Sequence, residues 1–337
     1  MSFSLPDHWV WDFWFADDGD TWHLYYLHAP MSLGDPDLRH RNAAIGHAVS
    51  RDLTNWTDLG PCILPSGGDA VDATATWTGS VVRRPEGGWR MFYTGSRFLS
   101  ETAITNVETI IAADSNDLAT WHRVDGLAFS AAGPHYETLA DGTWREEAWR
   151  DPWVFARPEG GFGMLVTARS ATGAISEAAG SADSAGEDTD DRGVVGLALS
   201  PDLHTWTRAV PLSEPGAGFG HVEVMQYVEV EGSTHLLFSC DRAALAGARR
   251  DSGEIGGVWT VPVSAPGAPV DLGAASLLVD ERLYAGRAVQ DRAGVWHLLA
   301  FENTADGGAF AGRLSDPLPL TVRDGHLALA DRAEEAA

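Results

Sequence analysis

Apolar residues in this chain recur in short runs of about five to nine, at the two-residue period of strands, and the runs themselves repeat. One recurrent run follows a Gly- or Asp-containing turn. Its copies are TWHLYYLHA from Thr21, GWRMFYTG from Gly88, GFGMLVTA from Gly161, STHLLFSC from Ser233 and GVWHLLAF from Gly294. Their starts lie roughly 60 to 75 residues apart, a unit long enough for four strands and their loops. A second repeat, S-x-D-L-x-x-W, occurs at Ser50–Trp56, Ser115–Trp121 and Ser200–Trp206. Each copy follows an apolar run (AAIGHAV, TIIAA, GVVGLAL), so S-x-D-L reads as the turn closing one strand and the Trp as the opening of the next. Five such units predict an all-β, five-bladed β-propeller forming a single domain, since stacked four-stranded sheets cover one another and leave only short edges. A β-sandwich is the alternative, but it does not account for the regular unit length.

Two segments interrupt the rhythm. Ser130 to Ala148 reads as a loop between the second and third units, and residues 172–192, rich in Ala, Ser, Gly and acid, as a mobile surface loop. The tail from Asp331 reads as frayed. No linker divides the chain into domains.

Composition narrows the chemistry. The net charge of −25 disfavours nucleic acid and anionic membranes as partners and leaves neutral ligands such as sugars unpenalised. All 23 basic residues are Arg, which excludes Schiff-base lysine chemistry and a Walker-type phosphate loop. Cys62 and Cys240 offer neither a zinc spacing nor a disulfide framework, and no calcium-loop pattern is present, so no metal and no cofactor are expected. The N-terminus lacks a basic-then-apolar leader and no apolar run has membrane-spanning length, so a cytoplasmic location is the expectation. The 14 Trp residues are mostly core, with some free to stack on a sugar ring. Oligomeric state is open.

Ahead of each repeated strand stands another: WVWDFWFA, ATWTGSVV, AWRDPWVF, HVEVMQYV and RLYAGRAV. In a propeller these inner strands line the central channel. A linear alignment sets Asp12, Thr78, Asp151 and Glu223 level with one another, so three carboxylates converge on one axis. Like charges in an apolar strand are costly unless used. A pair of carboxylates, one protonated and one ionised, is what glycoside hydrolysis requires, and crowding raises the pKa of one member.

These residues resemble a known group. Trp11-Asp12 within VWDFW is similar to the levansucrase VWDSWP motif, Trp77-Thr78-Gly79-Ser80 to a W-S-G-S segment, and Trp149-Arg150-Asp151-Pro152 to an R-D-P motif. Together they resemble the five-bladed propeller glycoside hydrolases of families 68 and 32, the levansucrases, invertases and other β-fructofuranosidases, over about residues 9 to 245. The resemblance implies a furanoside-cleaving enzyme working by retaining double displacement. It implies Asp12 as nucleophile, Glu223 as acid/base and Asp151 as the residue holding sugar hydroxyls. It further implies Arg150 fixing the charge of Asp12, Trp11 and Trp77 walling the ring, and Ser80 bonding the nucleophile. His221, Arg242, Tyr284 and Arg287 complete the substrate-binding candidates, Tyr284 as a second partner for the nucleophile. The chain departs from the group at His221, where levansucrases carry Glu, and at Val224-Met225-Gln226, which lacks the Arg-Pro after the acid/base. It also ends too soon for the C-terminal β-sandwich of family 32. A different furanose, an inverting pentosidase of the family 43 type, and a non-catalytic carbohydrate-binding propeller remain open.

Overall fold

The structure, a computed structural model, describes residues 3–173, 189–305 and 308–331. Most of the predicted mobile loop (174–188) and nearly all of the predicted frayed tail (332–337) lie outside the described residues.

Five antiparallel sheets follow one another along the chain as five blades. Blade 1 holds β1 (His8–Asp17), β2 (Trp22–Pro30), β3 (Ala44–Ser50) and β4 (Thr57–Ile63). Blade 2 holds β5 (Ala75–Arg83), β6 (Trp89–Phe98), β7 (Asn106–Ser115) and β8 (His122–Phe129). Blade 3 holds β9 (Trp149–Ala156), β10 (Phe162–Arg169), β11 (Gly193–Ser200) and β12 (Thr207–Arg208). Blade 4 holds β13 (Glu223–Val230), β14 (Ser233–Cys240), β15 (Gly257–Pro262) and β16 (Ser276–Asp280). Blade 5 holds β17 (Leu283–Gln290), β18 (Trp296–Thr304), β19 (Phe310–Leu314), β20 (Leu318–Arg323) and β21 (His326–Leu329). The repeated apolar run is the second strand of every blade, buried because sheets pack on both of its faces.

The S-x-D-L-x-x-W repeat makes the same turn three times. Asp52, Asp117 and Asp202 each accept two backbone N–H groups at 2.7–2.9 Å, from the second and third residues beyond them. The following Leu is buried at φ near +60° in all three copies. That left-handed conformation is tolerated because the leucine is locked into the core. Its carbonyl is then used between blades: Tyr25 on β2 donates to Leu118 O at 2.6 Å, and Arg90 on β6 to Leu203 O at 2.9 Å.

The ring closes where Leu314 N–H donates to Phe3 O at 2.9 Å and Gly312, at φ +60°, lies against Trp9. A Cβ on Gly312 would sit 2.6 Å from the Trp9 ring. Arg287 fills the axis. Its guanidinium donates to Met225 O (2.6 Å), Phe13 O (3.2 Å) and Gly79 O (3.4 Å), so one residue of blade 5 ties together blades 4, 1 and 2. Cys62 and Cys240 are both free thiols, and among the described residues no helix is long and apolar enough to cross a membrane.

Candidate active site

Every inner strand carries a β-bulge at the same place. The pairing register shifts between Trp11 and Phe13, Trp77 and Gly79, Arg150 and Trp153, Glu223 and Gln226, and Tyr284 and Arg287. A bulge inserts one residue and re-aims the side chains around it. In blades 3 to 5 the inserted turn uses positive φ at Asp151 (58°), Val224 (52°) and Ala285 (49°). A β-branched valine at such an angle is strained backbone, of the kind that persists where surrounding structure imposes it.

The register corrects the linear alignment. Asp12, Thr78 and Asp151 are the first residues of their bulges, but Glu223 stands one residue earlier, level with Trp11, Trp77, Arg150 and Tyr284. Two neighbouring belts result. Blades 1 to 3 give Asp12, Thr78 and Asp151; blades 3 to 5 give Arg150, Glu223 and Tyr284. The extra methylene of glutamate lets Glu223 share the pocket with the aspartates from the adjacent belt. Asp12, Asp151 and Glu223 all line one cavity of about 800 Å³.

Each acid has its own partners. Thr78 Oγ1 donates to Asp12 Oδ2 at 2.7 Å. Asp151 Oδ2 accepts from Thr167 Oγ1 at 2.8 Å and from Val224 N–H at 3.3 Å. Glu223 Oε1 is gripped by Arg150 through NH2 (2.7 Å) and Nε (3.2 Å), while Tyr284 donates its hydroxyl to Oε2 at 2.5 Å. His221 Nε2 lies 3.3 Å from Oε2, and His221 Nδ1 faces Arg150 NH2 at 3.3 Å.

The charges follow from these contacts. Burial, and then the negative charges of Asp151 and Glu223, push Asp12 up to about 7 against the hydrogen bond from Thr78. Burial also raises Asp151, with Arg150 opposing. Burial disfavours the Glu223 anion as well, but His221, Arg150 and Tyr284 outweigh it and hold the group at about 2. Crowding adds to burial in raising both aspartates, whereas Glu223, the residue that has to donate a proton, is the member held low.

Several expected roles change. Arg150 does not pair with Asp12; it grips Glu223, Glu108 and Glu146. Tyr284 bonds Glu223, because it stands beside that residue in the belt. Ser80 accepts Val154 N–H at 3.2 Å and ties blade 2 to blade 3, two residues past the bulge and outside the cavity lining; the hydroxyl partner of Asp12 is Thr78. Arg242 is exposed and outside the lining, because Asp241 caps a 3-10 turn that directs the next side chain away. Arg287 faces the channel as expected, but it is consumed by backbone carbonyls beneath the pocket.

Trp11 and Trp77 do wall the cavity. Trp77 Nε1 donates to His40 O at 2.8 Å, which fixes its ring. More of the lining comes from residues that the inner-strand reading misses. Arg39 and His40 arrive on the 3-10 turn Pro36–Arg41, and Arg145 and Glu146 on the Ser130 to Ala148 insertion. Arg41 binds the loop after β6 through the carbonyls of Ser100, Glu101 and Ala103. The available signal for Glu108 was an acid standing directly before the apolar run TIIAA.

Residues 13–177 match the model of the glycosyl hydrolases family 32 N-terminal domain, a range that includes Asp151 and begins one residue after Asp12. The chain is 31% identical over 123 residues to β-fructofuranosidase 1 of Zea mays, covering 36% of this chain and 18% of that enzyme. It is 27% identical over 253 residues to the insoluble isoenzyme 3 of β-fructofuranosidase from Oryza sativa subsp. indica, covering 72% of this chain and 36% of that one. The chain therefore spans well under half the length of these relatives. An inulosucrase from Halalkalicoccus jeotgali, solved bound to kestose, shares the fold with a TM-score of 0.74 at 21% identity, over 96% of this chain and 87% of that one.

Proposed function

We propose that this chain is a retaining glycoside hydrolase of the β-fructofuranosidase type, which cleaves a terminal fructofuranosyl unit from a small oligosaccharide and passes it to water or to another sugar. The observation that carries this is the convergence of Asp12, Asp151 and Glu223, from three blades and two belts, on one cavity walled by Trp11 and Trp77.

Asp12 attacks the anomeric carbon and forms the glycosyl-enzyme bond as the leaving oxygen takes a proton from Glu223. Glu223 then deprotonates the incoming water, whose oxygen displaces Asp12. Asp151 accepts hydrogen bonds from the ring hydroxyls. Burial raises Asp12 to about 7 and raises Asp151 as well, while Glu223 is held at about 2, so a proton shared by the trio favours the aspartates over Glu223. The reaction needs it on Glu223. Sugar binding therefore has two electrostatic tasks: to donate hydroxyl protons to Asp12 and Asp151, and to draw donors away from Glu223.

The test is a panel of sucrose, kestose-type and levan-type fructans and nitrophenyl furanosides, with NMR detection of the first-formed anomer. Retention on fructosides, lost in Asp12→Asn and Glu223→Gln, supports the reading. Inversion replaces it with a single-displacement pentosidase, and binding without turnover with a carbohydrate-binding propeller.

A further inference from the structure

Arg150 holds Glu223 through two of its nitrogens, and three glutamates compete for it. NH1 is within 3.1 Å of both oxygens of Glu108 and 3.3 Å from Glu146 Oε1, which leaves Nε and NH2 for Glu223. Glu108, on β7, is fully buried and does not line the cavity, so it is out of a substrate's reach. Besides Arg150 it accepts the backbone N–H of Trp149 at 2.8 Å, next to Arg150 in the chain. Burial pushes the Glu108 carboxyl up to about 8 even with Arg150 opposing, so a charge here is costly and the residue is a poor choice for stability alone.

We propose that Glu108 is a positioning residue: by occupying NH1 and anchoring the backbone of Trp149, it fixes the plane of the Arg150 guanidinium so that Nε and NH2 hold Glu223 in place as acid/base. The inference rests on the proposed role of Glu223. Two of the three guanidinium nitrogens reach a single oxygen of Glu223, a grip that depends on ring-like planarity and is lost if the guanidinium rotates. Glu108 also acts at a distance on charge. The other charged or titratable groups that face Glu223 are Asp12, Asp151, His221, Tyr284 and Glu146, with His40 and Cys240 more weakly coupled. Those that face Glu108 are Arg150, Glu146 and Asp151.

Glu108→Gln keeps the shape but can offer only one accepting oxygen where the carboxylate offered two. Its effect should fall on proton donation. For sucrose, whose leaving group needs a proton, kcat should fall roughly 10- to 100-fold with KM within about twofold. For a nitrophenyl furanoside, whose phenolate leaves unaided, the loss should stay within about threefold. The acidic limb of kcat/KM for sucrose should also move to higher pH, because Glu223 is the group that takes up the second proton and holds it more tightly once Arg150 loosens. A merely structural role lowers the melting temperature and the active fraction and reduces both substrates equally; that result overturns the inference. If Glu108→Gln fails to fold, Glu108→Asp decides: its loss should again be larger for sucrose, and equal losses overturn the inference. A wild type that cleaves no furanoside overturns the functional reading and this inference with it, whereas equal losses in an active enzyme overturn this inference alone.

Discussion

Asp12 and Asp117 are the same side chain in two opposite settings. Asp117 sits exposed in an outer turn, where the N–H groups of Thr120 and Ala119 hold its carboxyl at about 2. Asp12 sits on the inner strand with one hydroxyl donor and two carboxylates nearby, and is pushed up to about 7. The outer arrangement recurs almost atom for atom in three blades, at Asp52, Asp117 and Asp202. The inner one does not: the positions level with Asp12 hold Thr78, Asp151, Val224 and Ala285. An aspartate satisfied by its own turn serves the fold and can be repeated. An aspartate left short of donors costs stability, and its neighbours differ from blade to blade because each does a separate task.

The sharpest way to break this contrast is Asp12→Asn. Turnover of the preferred furanoside should fall by about 10⁴-fold or more, while the folded state gains. A carboxyl raised in the folded protein binds its proton more tightly there than in the unfolded chain, so it stabilises at low pH and that contribution is lost as pH rises from about 4 through 7. Denaturation midpoints should coincide near pH 4, and the variant should be more stable by about 2–4 kcal/mol near pH 8. A variant no more stable than wild type at pH 8 removes the idea that Asp12 is held at a cost.

Glu223→Gln should lower kcat for sucrose by roughly 10²- to 10⁴-fold. The loss should be far smaller on a nitrophenyl furanoside in the first step, with the covalent intermediate then accumulating as a burst. Equal losses on both substrates, and no burst, assign Glu223 to binding instead.

The smallest effect belongs to the outer turn. Asp117→Ala removes two hydrogen bonds to backbone and should cost about 0.5–2 kcal/mol, as for loss of a side-chain cap, with kcat and KM unchanged. A change in kcat would show that the outer turns and the inner belt are coupled through the blade, for which Tyr25 bonding Leu118 O is the available route.

How far the sequence could be read follows the same division. The outer turns and second strands were legible because their causes are local: a side chain two or three residues from the N–H it accepts, and a two-residue alternation of buried faces. The family resemblance pointed to Asp12, Asp151 and Glu223, and all three line the cavity. The relation among them was not legible. A bulge changes the offset between paired strands by one residue without leaving a gap in the sequence, so Glu223 aligned with the aspartates when it belongs level with Arg150 and Tyr284.

The sequence by itself determined the repeat, the five blades, the outer turns and the chemical kinds of side chain available near the axis, because each depends on residues close together in the chain. Only the tertiary structure decided who pairs with whom: Thr78 rather than Ser80 on Asp12, Arg150 and Tyr284 on Glu223, Glu108 behind Arg150, and Arg287 as the axial plug. Those partners lie 42 to 73 residues apart, and Arg287 reaches Phe13 across 274. Their meeting depends on how blades pack around an axis and on where five bulges turn the backbone, and neither is written in any local pattern of polar and apolar residues.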